Sequence, residues 1–290
     1  MRPMDRAYDA LLLDLDGTLL TPDETVHPRT REAILEAERQ GVEVMVVTGR
    51  SKISALPIVE ELDLGAPAVL FNGCAVWCHS EKRMLEERTL SNRTLARLHD
   101  WADRRDAQVI VMTADEKLAL APRSAAEERN FDGFIGVQFV EREELLRDYT
   151  IRLSFLVECG EAGSLAVVRD LEEAARGPVY VSHFPLSILP RHRTNTYSAI
   201  DVHAPCRGKA EALRFLADQK GILPERVIAV GDAAHDVPML RAAGLGVAMG
   251  NALPEVRAEA DRVVGDHGTE AIAELVEELL LGGAAARPGR

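Results

Sequence analysis

The chain has 290 residues, 47% of them hydrophobic, enough for one large α/β domain or for two domains with cores of their own. Its 47 acidic against 34 basic residues leave a formal charge of -13, which repels nucleic acid and anionic membrane surfaces, so no partner of either kind is expected. No stretch is apolar enough for long enough to span a bilayer or to serve as a signal peptide, and the expected location is cytoplasmic.

Taken in chain order, an apolar run over 10–13 predicts a strand that ends in Asp14-Leu15-Asp16-Gly17-Thr18. A helix follows over about 28–40, opened by Pro28 and stopped by Gly41. A strand over 42–47 then ends in Thr48-Gly49-Arg50, a helix covers about 51–62, and a strand over 68–71 runs into Asn72-Gly73. This alternation predicts βαβ units on a parallel sheet. It returns with a helix over about 209–219, a strand over 227–230, a helix over about 237–243, a short strand over 245–248 and a final helix over 271–281.

Between the two blocks the pattern changes. Strands over 109–112, 151–157 and 179–182, with helices near 94–104 and 165–175, predict an inserted α+β domain on a small antiparallel sheet. The division is then 1–89 and 197–290 for a Rossmann-like core and 90–196 for the insertion. A frayed tail is expected over 282–290. The cysteines Cys74, Cys78, Cys159 and Cys206 are too sparse for a disulfide framework, and Cys74, Cys78 and His79 lack the second ligand pair of a zinc site.

A phosphate ester resists attack because its oxygens repel an incoming anion, so a catalyst must neutralise charge, position a nucleophile and protonate the leaving alkoxide. Asp14, at a strand end, is the candidate nucleophile that would form an aspartyl phosphate, and Asp16 the candidate general acid and then base. Gly17 permits the tight turn, and Thr18 offers a hydroxyl and an amide to phosphoryl oxygens. The Thr48 hydroxyl either donates to a phosphoryl oxygen or caps the next helix, and Arg50 suits substrate contact or a surface ion pair. Lys209, on the first turn of a helix, is unfavourable against the helix dipole unless an anion answers it.

Gly231-Asp232-Ala233-Ala234-His235-Asp236 places a second acidic pair at a second strand end. A hard divalent cation such as Mg²⁺ would take Asp14, Asp232 and a backbone carbonyl, with Asp236 either behind the ligands or orienting Lys209. The glycines around Gly244 and Gly250 have the wrong spacing for a nucleotide loop.

These segments together resemble the haloacid dehalogenase superfamily, within it the Cof-like phosphatases of subfamily IIB. Asp14-Leu15-Asp16-Gly17-Thr18 is similar to the first motif, Thr48-Gly49-Arg50 to the second, Lys209 to the third and Gly231-Asp232 through Asp236 to the fourth. Asn72-Gly73 and Met249-Gly250-Asn251-Ala252 resemble further signatures of the branch. The resemblance implies Mg²⁺-dependent hydrolysis of a small phosphorylated metabolite, such as a sugar phosphate or a phosphorylated cofactor. It also implies a mobile cap that selects substrate and a metal contact from the Asp16 carbonyl. Substrate contacts are expected from Gly17, Thr18, Gly49, Arg50, Asn72 and Gly73.

A sugar-phosphate mutase of the same superfamily and a non-catalytic phosphosugar-binding regulator are the alternatives. His235 stands where the branch usually has asparagine. An imidazole facing the site would favour Mn²⁺ or Co²⁺. Oligomeric state is not legible.

Overall fold

The computed structural model describes residues 6–188 and 192–282. The expected tail beyond Gly282 lies outside the described residues. The chain divides into two compact units. One is built from residues 6–49, 56–85 and 207–282, the other from Arg50–Ala55 and Glu86–Cys206.

In the first unit the strand Ala10–Leu13 buries all four side chains, as an unbroken apolar run must when both faces of a parallel sheet are covered. It pairs in parallel with Glu43–Val46 on one side and Val227–Gly231 on the other. Leu245–Ala248 and Arg262–Val263 extend the sheet past Val227–Gly231, and Val47 bridges in parallel to Val69. The chain moves from the central strand to one neighbour first and reaches the other only after residue 226, so strand order reverses between Ala10–Leu13 and Val227–Gly231. The carboxyl ends of strands at such a reversal form a crevice that no crossover helix covers. Leu13 is in register with Val230, and Asp14 and Gly231 therefore leave the sheet side by side.

Helices Pro28–Arg39, Lys52–Leu62, Glu211–Lys220 and Val237–Ala242 stand where the sequence periodicity predicts them. Two expectations shift. Lys209 is not on a helical turn but in a tighter one, Gly208–Ala210, ahead of the helix, and the last helix, Ala271–Val276, widens into the turn Glu277–Leu281.

The second unit carries a six-stranded sheet in the order Tyr180–Pro185, Tyr197–His203, Arg152–Glu158, Gln108–Met112, Lys117–Leu120, Val137–Val140. All neighbours are antiparallel except the last pair, which is parallel. Leu98 and Trp101 of helix Asn92–Arg105 and Leu171 of helix Gly160–Ala175 pack on Val111, Leu153 and Ile200, which share one face. The strand Tyr197–His203 belongs to this sheet, and the second unit runs on to Cys206.

The strand Ala68–Leu70 ends in a turn where Phe71, Asn72 and Gly73 have φ of 51°, 52° and 98°. Left-handed backbone costs about 1–2 kcal/mol at a residue with a Cβ, and it persists only where the surroundings over-determine it. Here Phe71 is fully buried, the Asn72 N–H donates to Thr48 O at 3.1 Å, and Gly73 packs against the Gly208 backbone. A Cβ on Gly73 would collide with the Gly208 carbonyl. Gly73→Ala should therefore cost about 2–4 kcal/mol of stability. A urea-unfolding midpoint equal to wild type would show that the turn relaxes freely.

Candidate active site

Asp14 extends the central strand by one residue, its N–H donating to Val230 O at 3.1 Å, and is 2% exposed. Lys209, brought over it by the turn Gly208–Ala210, is fully buried. Its Nζ donates to Asp14 Oδ1 at 2.6 Å and to Asp236 Oδ1 at 2.5 Å. Burial opposes the lysine charge, but the two carboxylates outweigh it and raise its pKa. Asp236 is likewise opposed by burial yet held low, chiefly by Lys209. Its Oδ2 accepts the N–H groups of Asp232 and Ala233 at 3.0 and 2.9 Å, so both oxygens are engaged.

Asp232 stands on the neighbouring strand end. Its Oδ1 accepts from Thr18 Oγ1 at 3.2 Å and its Oδ2 from Asn251 Nδ2 at 3.4 Å, while Asn251 also donates to Gly17 O at 2.8 Å. Gly17 has φ of +74°, and a Cβ there would run into the Asp232 carboxylate, so only glycine lets the two loops close on each other. Thr18 thus spends its hydroxyl on Asp232. Asn251 was legible in the sequence only as part of a signature with no role, and His267, whose charge acts on Asp232, carried no signal.

Thr48 is buried at the end of Glu43–Val46 and its bridge residue Val47, its N–H on Val69 O at 2.8 Å. Gly49 lies against Asn72, where a Cβ would meet Oδ1 at 2.8 Å. The structure therefore gathers Asp14, Asp16, Gly17, Thr18, Asp232, His235, Asp236 and Lys209 at the central strand ends, with Thr48, Gly49, Asn72 and Gly73 beside them. Arg50 belongs to the second unit, where its Nη1 donates to Ser54 O at 3.4 Å.

Donor atoms of Asp14, half-buried His235 and Asp236 all lie within 4.8 Å of one another. Asp236 is a poor ligand because both its oxygens hold N–H donors. Asp14 is a good one, since its buried Oδ2 has no hydrogen-bond partner among the described residues. Burial first, then the charge of Asp236, pushes the Asp14 carboxyl well up against the pull of Lys209, with Asp232 and Asp16 adding to the rise. Burial and Asp236 likewise push Asp232 up to about 6. Crowded carboxylates with an unanswered oxygen fit a divalent cation, which supplies the positive charge they lack.

A family model described as haloacid dehalogenase-like hydrolase matches residues 11–276. The pyridoxal phosphate phosphatase YbhA of Escherichia coli K12 is 27% identical, the match covering 93% of this chain and 98% of that protein. The 5-amino-6-(5-phospho-D-ribitylamino)uracil phosphatase YcsE of Bacillus subtilis 168 is 26% identical over 93% of this chain and 95% of its own length. A solved haloacid dehalogenase-like hydrolase from Bacteroides thetaiotaomicron superposes with a TM-score of 0.78 at 23% identity, covering 93% of this chain and 99% of that one. The HAD subclass IIB sugar phosphatase BT4131 superposes at 0.75 and 20% identity, covering 93% and 98%. At these identities the solved structures share its fold. The chain belongs to the haloacid dehalogenase-like hydrolases, in the company of the Cof-like phosphatases, and is a phosphoric monoester hydrolase.

Lys209→Met leaves two buried carboxylates without their cation, which should cost about 3–5 kcal/mol at neutral pH. In that variant both carboxylates have folded pKa values above their unfolded ones, so its stability is retained in acid and lost as pH rises through the folded values. Urea unfolding of wild type and variant should give a deficit that is larger at pH 7.5 than at pH 5. A deficit that grows in acid would contradict the charge assignment.

Proposed function

We propose that this hydrolase releases inorganic phosphate from small phosphorylated metabolites through an aspartyl phosphate on Asp14, with Mg²⁺ as its cation. The observation that carries the reading is the Asp14 carboxylate, clamped at Oδ1 by Lys209 and with no donor on Oδ2. A clamped carboxylate cannot rotate away from an in-line approach, and an oxygen without a donor keeps its nucleophilic electron pair.

In the first half-reaction a carboxylate oxygen of Asp14 forms a bond to phosphorus as the ester oxygen departs, and the Asp16 carboxyl gives that oxygen its proton. Asp16 is exposed at the mouth of the turn, where a leaving group can meet it. In the second half-reaction Asp16 takes a proton from water, whose oxygen attacks phosphorus, releasing phosphate and restoring Asp14. Lys209 and the Thr48 hydroxyl, with the backbone amides after Asp16, bind the phosphoryl oxygens. Asp14, Asp232 and the Asp16 carbonyl are the groups that would hold Mg²⁺, which when bound offsets the charge of the phosphoryl group. We assign the inserted segment, which runs to Cys206 and not to the expected residue 196, the role of a cap that selects the alcohol portion.

Two of the relatives are named for pyridoxal phosphate and for 5-amino-6-(5-phospho-D-ribitylamino)uracil, both small phosphomonoesters. A panel of such esters with Mg²⁺, scored by released phosphate, tests the reading. Wild type should release phosphate from several members, and Asp14→Asn should lower the rate by about 10³-fold or more while keeping the wild-type fold. Phosphate release by a clean Asp14→Asn preparation at the wild-type rate would overturn the mechanism. Phosphoryl transfer between sugars without free phosphate would point to a mutase.

His235 makes the metal preference testable. Its ring nitrogen shares the neighbourhood of the Asp14 oxygens, and nitrogen donors suit Mn²⁺ and Co²⁺ better than Mg²⁺. Relative to wild type, His235→Asn should shift the ratio of Mn²⁺- to Mg²⁺-supported kcat/KM toward Mg²⁺ by about tenfold. An unchanged ratio would remove His235 from the metal's surroundings.

A further inference from the structure

On the side of the second unit's sheet that faces its two helices, the core does not close at one end. Ile110 pairs with Ala119 and Leu120 with Val140, so Val109, Leu120 and Val140 stand side by side across three strands. Helix Asn92–Arg105 presents Ala96, His99 and Asp103 toward them, three and four residues apart on one of its faces. Between helix and strands lies a cavity of about 700 Å³, floored by those three strand residues with Phe131 and Leu145. Val109 and Leu145 belong to this unit's hydrophobic core, and Leu120 and Val140 pack against it. Core side chains that border a void forgo contacts that a bound molecule would restore, and cavities of this size hold small organic ligands.

The walls of the cavity are acidic, with five carboxylates against two guanidiniums. Arg142 pairs with Asp103, Arg123 is shared by Asp106 and Glu127, and Asp100 is answered from outside the cavity by Arg104 at 3.0 Å. Glu141 caps the turn Arg142–Leu145 by accepting the Glu144 N–H, and it has no cationic partner among the described residues. Two negative charges are therefore left over, one from the carboxylates that share Arg123 and one from Glu141. His99 does not offset them. Burial, opposed by Asp103 and helped by Arg142, holds its imidazole below the ordinary pKa, so the ring is uncharged at neutral pH.

We propose that this cavity binds a small organic cation, an ammonium group carried on an apolar ring or short chain. The apolar body covers Val109, Leu120 and Leu145, while the ammonium stays at the rim, where Glu141 and the carboxylates around Arg123 favour positive charge. An anion of the same shape meets those carboxylates and is rejected. Every lining residue belongs to the second unit and none takes part in the proposed phosphate chemistry, so the site stands whether or not the phosphatase reading does.

The test titrates the full-length protein, at neutral pH and low ionic strength, with indoles of matched shape. Tryptamine is the cation, tryptophol the neutral analogue and indole-3-propionate the anion. Binding is read from the ring signals of ¹³C-labelled histidine, the His99 signal being identified by its loss in His99→Gln. Tryptamine should move that signal saturably, binding about fivefold more tightly than tryptophol and about tenfold more tightly than indole-3-propionate. Glu141→Gln, which keeps an oxygen for the cap, should weaken tryptamine about threefold and leave tryptophol unchanged. A His99 signal that tryptamine does not move at millimolar concentration overturns the proposal. So does tryptophol or indole-3-propionate binding as tightly as tryptamine, and so does a folded Glu141→Gln protein with wild-type affinity for tryptamine. Should Glu141→Gln fail to fold, the order of the three affinities on wild type decides alone.

Discussion

The ion triad of Asp14, Lys209 and Asp236 is the constraint on which the first unit depends. A lysine with no exposed surface is tolerable only with compensating anions, and two buried carboxylates are tolerable only with a cation between them. Each member therefore requires the other two. They arrive from three places, the end of Ala10–Leu13, the turn Gly208–Ala210 and the turn after Val227–Gly231. Their meeting needs the two strands to be neighbours in register, as Leu13 and Val230 are. It also needs the chain at Gly208 to be pressed against Gly73, which is why a strained turn of three left-handed residues is kept there.

That dependence explains which parts of the site were legible in the sequence. Asp14, Thr48 and Asp232 each follow an apolar run, and a polar residue at the carboxyl end of a buried parallel strand is visible from periodicity alone. Lys209 was visible as a misfit with a helix dipole, and the structure answers it differently, with a tight turn and two carboxylates far off in sequence. The Thr18 hydroxyl looked like a phosphoryl donor because nothing local showed its bond to Asp232, 214 residues away. The role of Asn251, which donates to both Gly17 and Asp232, is invisible for the same reason.

The second unit was less legible, again for a physical reason. Lys117–Leu120 and Val137–Val140 are four residues each, too short for a period of two to stand out, and Lys117 breaks the apolar pattern at a position that is buried. Tyr197–His203 buries six of its seven residues, so its faces do not alternate in a way that marks a strand. A sheet face that buries charge cannot be told from a solvated one by sequence pattern.

Around Asp14, Oδ2 lacks a donor and the raised Asp14 and Asp232 carboxyls mark a shortage of positive charge that Lys209 alone does not meet. A phosphate dianion entering that cluster without a cation would meet Asp14, Asp16, Asp232 and Asp236 together, and at a few ångströms in a dry site repulsion of this kind exceeds what one lysine returns. A divalent cation held by the same carboxylates would offset that repulsion.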